Sequence, residues 1–426
     1  MKKPPCVVKI RFPVLLTLSA QGGAKMIRKD FIISKTRNRL AQFINPIAEP
    51  ADKPRRKFLR QCVGAVLLSG SLVIMEFSRL IHDDCCDIFY RVKRLLNHLV
   101  SPSGDLSAVV QAYREQMARY IEPDTPLIID MTDIAKPRAR AMKYLNLVRD
   151  GSEGKLVNGY LCTEVYAYAK GKKVIPLNLD VFGIDDPSVG SQNLQIERSI
   201  DAVNKTLSGN GIWIADRGFD GLNYYEMWFS RKCRFVVRQR GDRHVVTSNG
   251  VRILETDLVE RLRQRAALEH RPTDLVLCNV RLPEHNQNLY LVARWLDKSE
   301  TPLILLTNMA VENEQQARQV VMYYKKRWSC EETIQFLKSR VGLERFRIRR
   351  YEAIKRLMIV AMLAMGFLTW ILLKSQQLMN CLFSFTSRFR KERRFVYYRL
   401  LDGLQELSRL CSLGFGRQLL EPMENG

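Results

Sequence analysis

Tyr324, Arg327, Glu331 and Lys338 stand in the stretch YYKKRWSCEETIQFLK, with the spacing Y-x2-R-x3-E-x6-K. A helix turns about 100° per residue, so one continuous helix would gather these four side chains into a stripe roughly 60° wide. An acid, two cations and a phenol then share one face. The carboxylate suits a hard divalent cation, and the other three groups suit phosphate oxygens. An Arg327–Glu331 pair alone would be an ordinary i,i+4 contact on a solvated helix. The full set, taken with two distant aspartates, points to chemistry on a phosphodiester.

The aspartates are Asp130, which follows an apolar run in PLIIDMTDI (126–134), and Asp216, which follows another in IWIADRG (212–218). An acid that interrupts a buried apolar strand is costly unless something partners it. Phosphodiester transfer needs in-line attack, which two divalent metals about 4 Å apart promote by activating the nucleophile and stabilising the leaving oxygen. Mg²⁺ takes hard oxygen ligands. Asp130, Asp216 and Glu331 are therefore the candidate catalytic acids and the candidate ligands of two Mg²⁺ ions, with Mn²⁺ able to substitute. Asp133 neighbours Asp130, but the two face opposite sides of a strand, so only one meets the site. We take Asp130, which directly follows the apolar run. Glu332 lies about 100° off the stripe, and Asp220 falls in a loop.

Cations cluster near both aspartates. Lys136, Arg138 and Arg140 follow Asp130, Arg217 follows Asp216, and Arg238, Arg240 and Arg243 leave the next strand. Lys136, Arg138, Arg217 and Arg240 join Tyr324, Arg327 and Lys338 as candidate contacts to DNA phosphates. Trp295 is a candidate for stacking on an unpaired base.

The elements that must position these residues can be read in order. Apolar strands are expected at 126–134, 159–169 and 173–183, with a turn at 168–173. A helix follows at 191–207, with Ser191 as a cap, then a strand at 212–218, a helix, and a fifth strand at CRFVVRQRG. That order predicts an α/β fold with an RNase H-like catalytic core, a mixed five-stranded sheet with flanking helices, in which the first and fourth strands are neighbours. Residues 241–303 read as irregular strands with an Asn249-Gly250 turn, a β-rich insertion. A long helix is expected over 313–340, with Asn313 and Gln316 as a capping-box-like pair. The expected organisation is a basic N-terminal extension and proline-broken linker (1–54), a helical DNA-end-binding region (55–120), the core in two parts (121–240 and 304–345) around the insertion (241–303), and a basic helical C-terminal region (346–426). The stretch FTSRFRKERRFVYYR (385–399) adds an Arg-rich patch.

The Y-x2-R-x3-E-x6-K spacing resembles the YREK signature of bacterial insertion-sequence transposases of the DDE superfamily, over roughly 120–345. The resemblance implies metal-dependent cleavage at transposon ends and strand transfer into target DNA. Asp130, Asp216 and Glu331 would be the metal ligands, and Tyr324, Arg327 and Lys338 the transposon-end contacts. Some relatives excise through a hairpinned DNA end. Partners would be double-stranded DNA, both terminal inverted repeats and target, and a homodimer would be the economical way to join two ends. The rival reading is a catalytically inactive, sequence-specific DNA-binding protein derived from a transposase.

Composition agrees with a polyanionic partner. The 426-residue chain carries a net charge of +24 with a pI near 9.8. Its first 60 residues hold 15 Lys/Arg against 3 Asp/Glu, a balance of +12 and half the total excess. Ten scattered cysteines without a CxxC, the adjacent Cys85-Cys86 included, argue for a reducing cytoplasm and against a zinc site. The apolar run near residue 14 is short for a signal peptide, and Met26 offers a second start. Leu357 to Leu373 is long enough to span a membrane, but its position beside the stripe predicts a buried core helix and no membrane partner.

Overall fold

The structure is a computed structural model that describes residues 15–20, 23–81, 87–102, 104–150, 154–296, 300–386 and 395–410. In chain order the elements are β1 (Leu15–Ala20), β2 (Gly23–Arg28), α1 (Lys29–Ala48), α2 (Lys53–Ser69), α3 (Ile74–Ser78), α4 (Ile88–Val100), α5 (Ser107–Ala118), β3 (Pro126–Ala135), β4 (Asn146–Arg149), β5 (Leu156–Ala169), β6 (Lys173–Phe182), α6 (Gln192–Leu207), β7 (Ile212–Ala215), α7 (Leu222–Ser230), β8 (Phe235–Arg238), β9 (His244–Thr247), β10 (Arg252–Leu254), α8 (Glu255–Leu268), β11 (Leu275–Arg281), β12 (Leu289–Arg294), β13 (Leu303–Thr307), α9 (Glu314–Lys325), α10 (Trp328–Phe336), α11 (Tyr351–Lys374), α12 (Gln376–Ser384) and α13 (Val396–Leu410). They form two compact units.

The first unit holds residues up to His98, Arg340–Arg347 and Phe367 onward. It is helical apart from the β1–β2 hairpin. Within the stretch expected as a proline-broken linker (1–54), residues from Lys29 onward instead form α1 and the start of α2. Pro46 falls in the last turn of α1, and Pro54 sits in the first turn of α2, where a missing N–H costs nothing. Asp52 caps α2 by accepting from the Arg55 N–H at 2.8 Å. Gly70 closes it with φ 64°, and a Cβ there would lie 2.9 Å from the Arg340 carbonyl oxygen. Phe43 and Phe367 pack at 5.6 Å in this core. Residues 387–394 of the Arg-rich patch and Cys85-Cys86 lie outside the described residues.

The second unit is built on one mixed, eleven-stranded sheet in the order β10-β9-β11-β12-β13-β8-β7-β3-β5-β4, with β6 also pairing β5. The five expected strands are β3, β5, β6, β7 and β8. Ser191 caps α6 by accepting from the Leu194 N–H. Two expectations are corrected. Residues 241–303 contain a full helix, α8, and their strands continue the central sheet, because β13 pairs both β12 and β8. The apolar spacing of ETDLVERLRQRAAL is helical, and the neighbouring strand-like runs mask it. The long helix over 313–340 is broken into α9, α10 and a π turn at Leu337–Val341. At the junction the Arg327 N–H bonds the Tyr324 carbonyl, and the Cys330 N–H bonds that of Arg327, i→i−3 contacts that tighten the helix.

Among the described residues, α11 is the one helix long and apolar enough to cross a membrane, and 83% of its apolar window is buried within the protein. That is the burial expected of a core helix.

Candidate active site

β3 and β7 run parallel as neighbours, with Ile128 opposite Ile214. Each aspartate follows its paired isoleucine by two residues, so the register brings Asp130 and Asp216 side by side. Asp216 begins a short 3-10 turn at the end of β7. The α9–α10 junction supplies the rest. The Tyr324 hydroxyl donates to Asp216 Oδ1 at 2.8 Å. Arg327 lies among all three acids, with Nη1 3.2 Å from Asp130 and Nη2 4.0 Å from Asp216 and 2.6 Å from Glu331. Asp216 and Glu331 thus share one nitrogen, and Asp130 is on its neighbour. Three residues far apart in sequence converge on a single guanidinium.

Lys338 Nζ lies 3.2 Å from Asp133. The expectation that only one acid of β3 meets the stripe is therefore corrected: Arg327 holds Asp130 and Lys338 holds Asp133. Residues 130 to 133 are all half-buried, so the strand lacks the inside–outside alternation of one with a single buried face.

The electrostatics follow from this packing. Burial pushes the Asp130 carboxyl up, opposed by the Met131 N–H and by Arg327. Asp216 is also desolvated, but the Arg217 N–H, Arg327, Tyr324 and Arg238 together hold it below the usual carboxylate range. Arg238 Nη1 is 3.8 Å from Asp216. Burial and the nearby Asp216 push the Tyr324 phenol up to about 12, so it stays a donor at neutral pH. Burial alone would lower Arg327, yet Asp216, Tyr324, Asp130 and Glu331 raise it well above its ordinary value.

Two residues beside these acids escaped the sequence reading. Glu164 on β5 faces Asp130 across the β3–β5 ladder and is buried. It accepts from the Tyr166 hydroxyl at 2.8 Å and from Cys330 Sγ at 3.2 Å. Potential ligand atoms of Asp130, Glu164 and Cys330 lie within 4.8 Å of one another. Burial lifts Glu164 to about 8 and Cys330 well above a normal thiol, so both keep their protons at neutral pH. Without a cation, Glu164 and Cys330 form a neutral pair behind Asp130. Its signal was available: an acid in the otherwise apolar GYLCTEVYAYA is the same anomaly that marks Asp130. The second is Trp328, 72% exposed beside Arg327 at the start of α10.

The other candidates lie further out. Arg217 and Arg240 are exposed next to Asp216, where Arg240 Nε donates to the Arg217 carbonyl at 3.1 Å. Lys136 and Arg138 begin the loop after β3. Trp295 is not brought to the acids. It follows β12, which β13 and β8 separate from β7, and the Arg263 guanidinium sits 4.4 Å from its ring centroid.

The donor set fits a divalent metal. Three carboxylates face one guanidinium, leaving surplus negative charge and hard oxygens at one point. No curated protein matches the chain. A solved structure, "Cryo-EM structure of piggyBac transposase synaptic complex with hairpin DNA", is similar at 12% identity and a TM-score of 0.47, over 92% of this chain and 82% of that one. The family model for the transposase DDE domain matches residues 122–367, more than half of the chain and the whole stretch that carries the converging acids, and the protein belongs to that family.

Proposed function

We propose that this transposase performs cut-and-paste DNA transposition with Asp130, Asp216 and Glu331 as its catalytic acids and metal ligands. The observation that carries the reading is the meeting of these three carboxylates around Arg327. The strands β6-β5-β3-β7-β8, with α6 and α7, would form an RNase H-like core extended by the strands of 241–303.

Bound Mg²⁺ or Mn²⁺ would supply Lewis-acid activation at the carboxylates. The chain's own residues do the remainder. Arg327 has five N–H donors and can pass from the carboxylates to a phosphate once other positive charge arrives. Tyr324, protonated at neutral pH, keeps Asp216 oriented. Lys338, Arg217 and Arg240 would hold flanking phosphates, with Lys136 and Arg138 further along the duplex. In cleavage, water attacks phosphorus, the bond to the 3′ oxygen breaks, and that oxygen takes a proton to become the free 3′-OH of the element. In transfer, that 3′-OH attacks a target phosphodiester and displaces the target's own 3′ oxygen. The helical region at 55–120 would bind transposon ends, a homodimer would hold two of them, and the working compartment would be the cytoplasm.

The test is Mg²⁺-dependent nicking and joining by the full chain on DNA bearing the element's terminal repeats. Asp216→Asn should abolish both steps, a loss of at least about 10³-fold, with end binding retained. Undiminished cleavage by Asp216→Asn would falsify the assignment. A wild-type chain that binds ends but never cuts would favour the binding-only alternative.

A further inference from the structure

The β4–β5 ribbon runs on beyond the carboxylates and presents an odd surface. Its register places Leu147 opposite Asn158 and Arg149 opposite Leu156, so these four share one face. Leu147 and Leu156 are each 69% exposed. As diagonal neighbours they stand about 7 Å apart. The opposite face is anchored. Val148 is buried, and at Gly159 a Cβ would come within 2.6 Å of the Ile134 carbonyl oxygen, so the ribbon sits tightly on β3. Among the described residues of 136–157, Arg138, Arg140, Lys143, Arg149 and Lys155 are exposed, and the half-buried Asp150 is the only acid.

We propose that this ribbon is the surface that seats and bends target DNA. The inference rests on the transposition reading above. Exposed leucines flanked by cations fit a minor groove opened at a base step, with the apolar wedge between bases and the cations on phosphates. Each asparagine of the ribbon makes one bond inside the protein: Asn146 Oδ1 accepts from the Ile184 N–H, and Asn158 Nδ2 donates to the Ala139 carbonyl. The exposed groups are dominated by cations and apolar wedges, which is equipment for DNA read by deformability. Geometry sets the contact point. Leu156 and Asn158 precede Glu164, the partner of Asp130, by eight and six residues on β5, or about 20–27 Å at roughly 3.4 Å per residue. At about 3.4 Å per base along a strand, the wedge falls some 6–8 base pairs from the phosphate being joined.

The experiment uses the full chain, a pre-cut end duplex and a target duplex, and scores end binding, end cleavage and strand transfer separately. Leu147→Ser/Leu156→Ser should leave melting, end binding and end cleavage unchanged while strand transfer falls about tenfold. A target nicked about 6–8 base pairs from the joining site, already flexible, should restore transfer to the leucine pair. Arg149→Ala/Lys155→Ala should also lose transfer, without rescue by the nick, and should reduce the salt slope of target binding by about 1.8. The proposal is overturned if transfer is unchanged, if end binding or end cleavage falls in step with transfer, or if the variants weaken only self-association. A wild-type chain that neither cuts nor joins would overturn the parent reading, and this one with it.

Discussion

Arg327 is the residue on which the candidate site turns. Its guanidinium lies among three carboxylates that would otherwise repel one another, so its fork geometry matters as well as its charge. Arg327→Lys keeps the charge but cannot reach all three acids, and end cleavage should drop about 10–100-fold in a single-turnover assay. Tyr324→Phe removes one of the groups that hold Asp216 low. Asp216 then titrates closer to an ordinary carboxylate, and the acid limb of the cleavage–pH profile should move to higher pH. The sign follows from linkage: a depressed carboxyl lends stability above its unfolded pKa and loses it as pH falls through the folded value. Trp328 is mostly exposed, so Trp328→Ala should leave the melting temperature nearly unchanged. A fall in cleavage or transfer would then show that the indole contacts DNA.

At the scale of elements, the informative feature is how strands and helix ends are locked around the site. The segment after Asp216 is tied down by Asp220, which accepts from Arg243 Nε at 2.9 Å and from the Arg240 N–H at 2.9 Å. Glu255, at the start of α8, is buried beside this pair, and neither of its carboxyl oxygens has a hydrogen-bond partner. Burial, with Asp220 adding to it, lifts Glu255 to about 8. The folded state therefore holds a proton that the unfolded chain releases near 4.5, and the stability this group lends is lost as pH rises from there through about 8. Glu255→Gln should flatten that loss, so the variant should melt higher than wild type at pH 9 and by little at pH 5, as read by circular dichroism. Gly70→Ala tests a different joint. The positive φ and the nearby Arg340 carbonyl make any Cβ strained, and the helical unit should lose at least about 1 kcal/mol.

For the whole molecule, the +24 charge is the dominant property. If the protein acts on DNA as proposed, most of its affinity for DNA of any sequence should come from counterion release, so binding should weaken steeply and linearly in log–log form as salt rises. A flat salt dependence would contradict a phosphate-contacting surface. The buried α11 leads to a second expectation at this scale. The protein should be extracted by salt without detergent, and sedimentation with lipid after such extraction would contradict the core assignment.

The acids and the spacing of the 324–338 segment were legible in the sequence, because a charged residue inside an apolar strand and a repeated helical separation are local signals. Ser191, Asn313 and the Asn249-Gly250 turn were legible for the same reason: a cap or a turn is decided by a few neighbouring atoms. The break between α9 and α10 was not. There Tyr324 and Arg327 reach acids on two separate strands, a demand set by residues more than a hundred positions away in sequence. The junction of β13 with β8, and the pairing of Asp133 with Lys338, are likewise long-range contacts. Glu164 shows the boundary most clearly. Its apolar surroundings could be read from the chain, but only the β3–β5 register sets it behind Asp130, and only burial among neighbours keeps it protonated there.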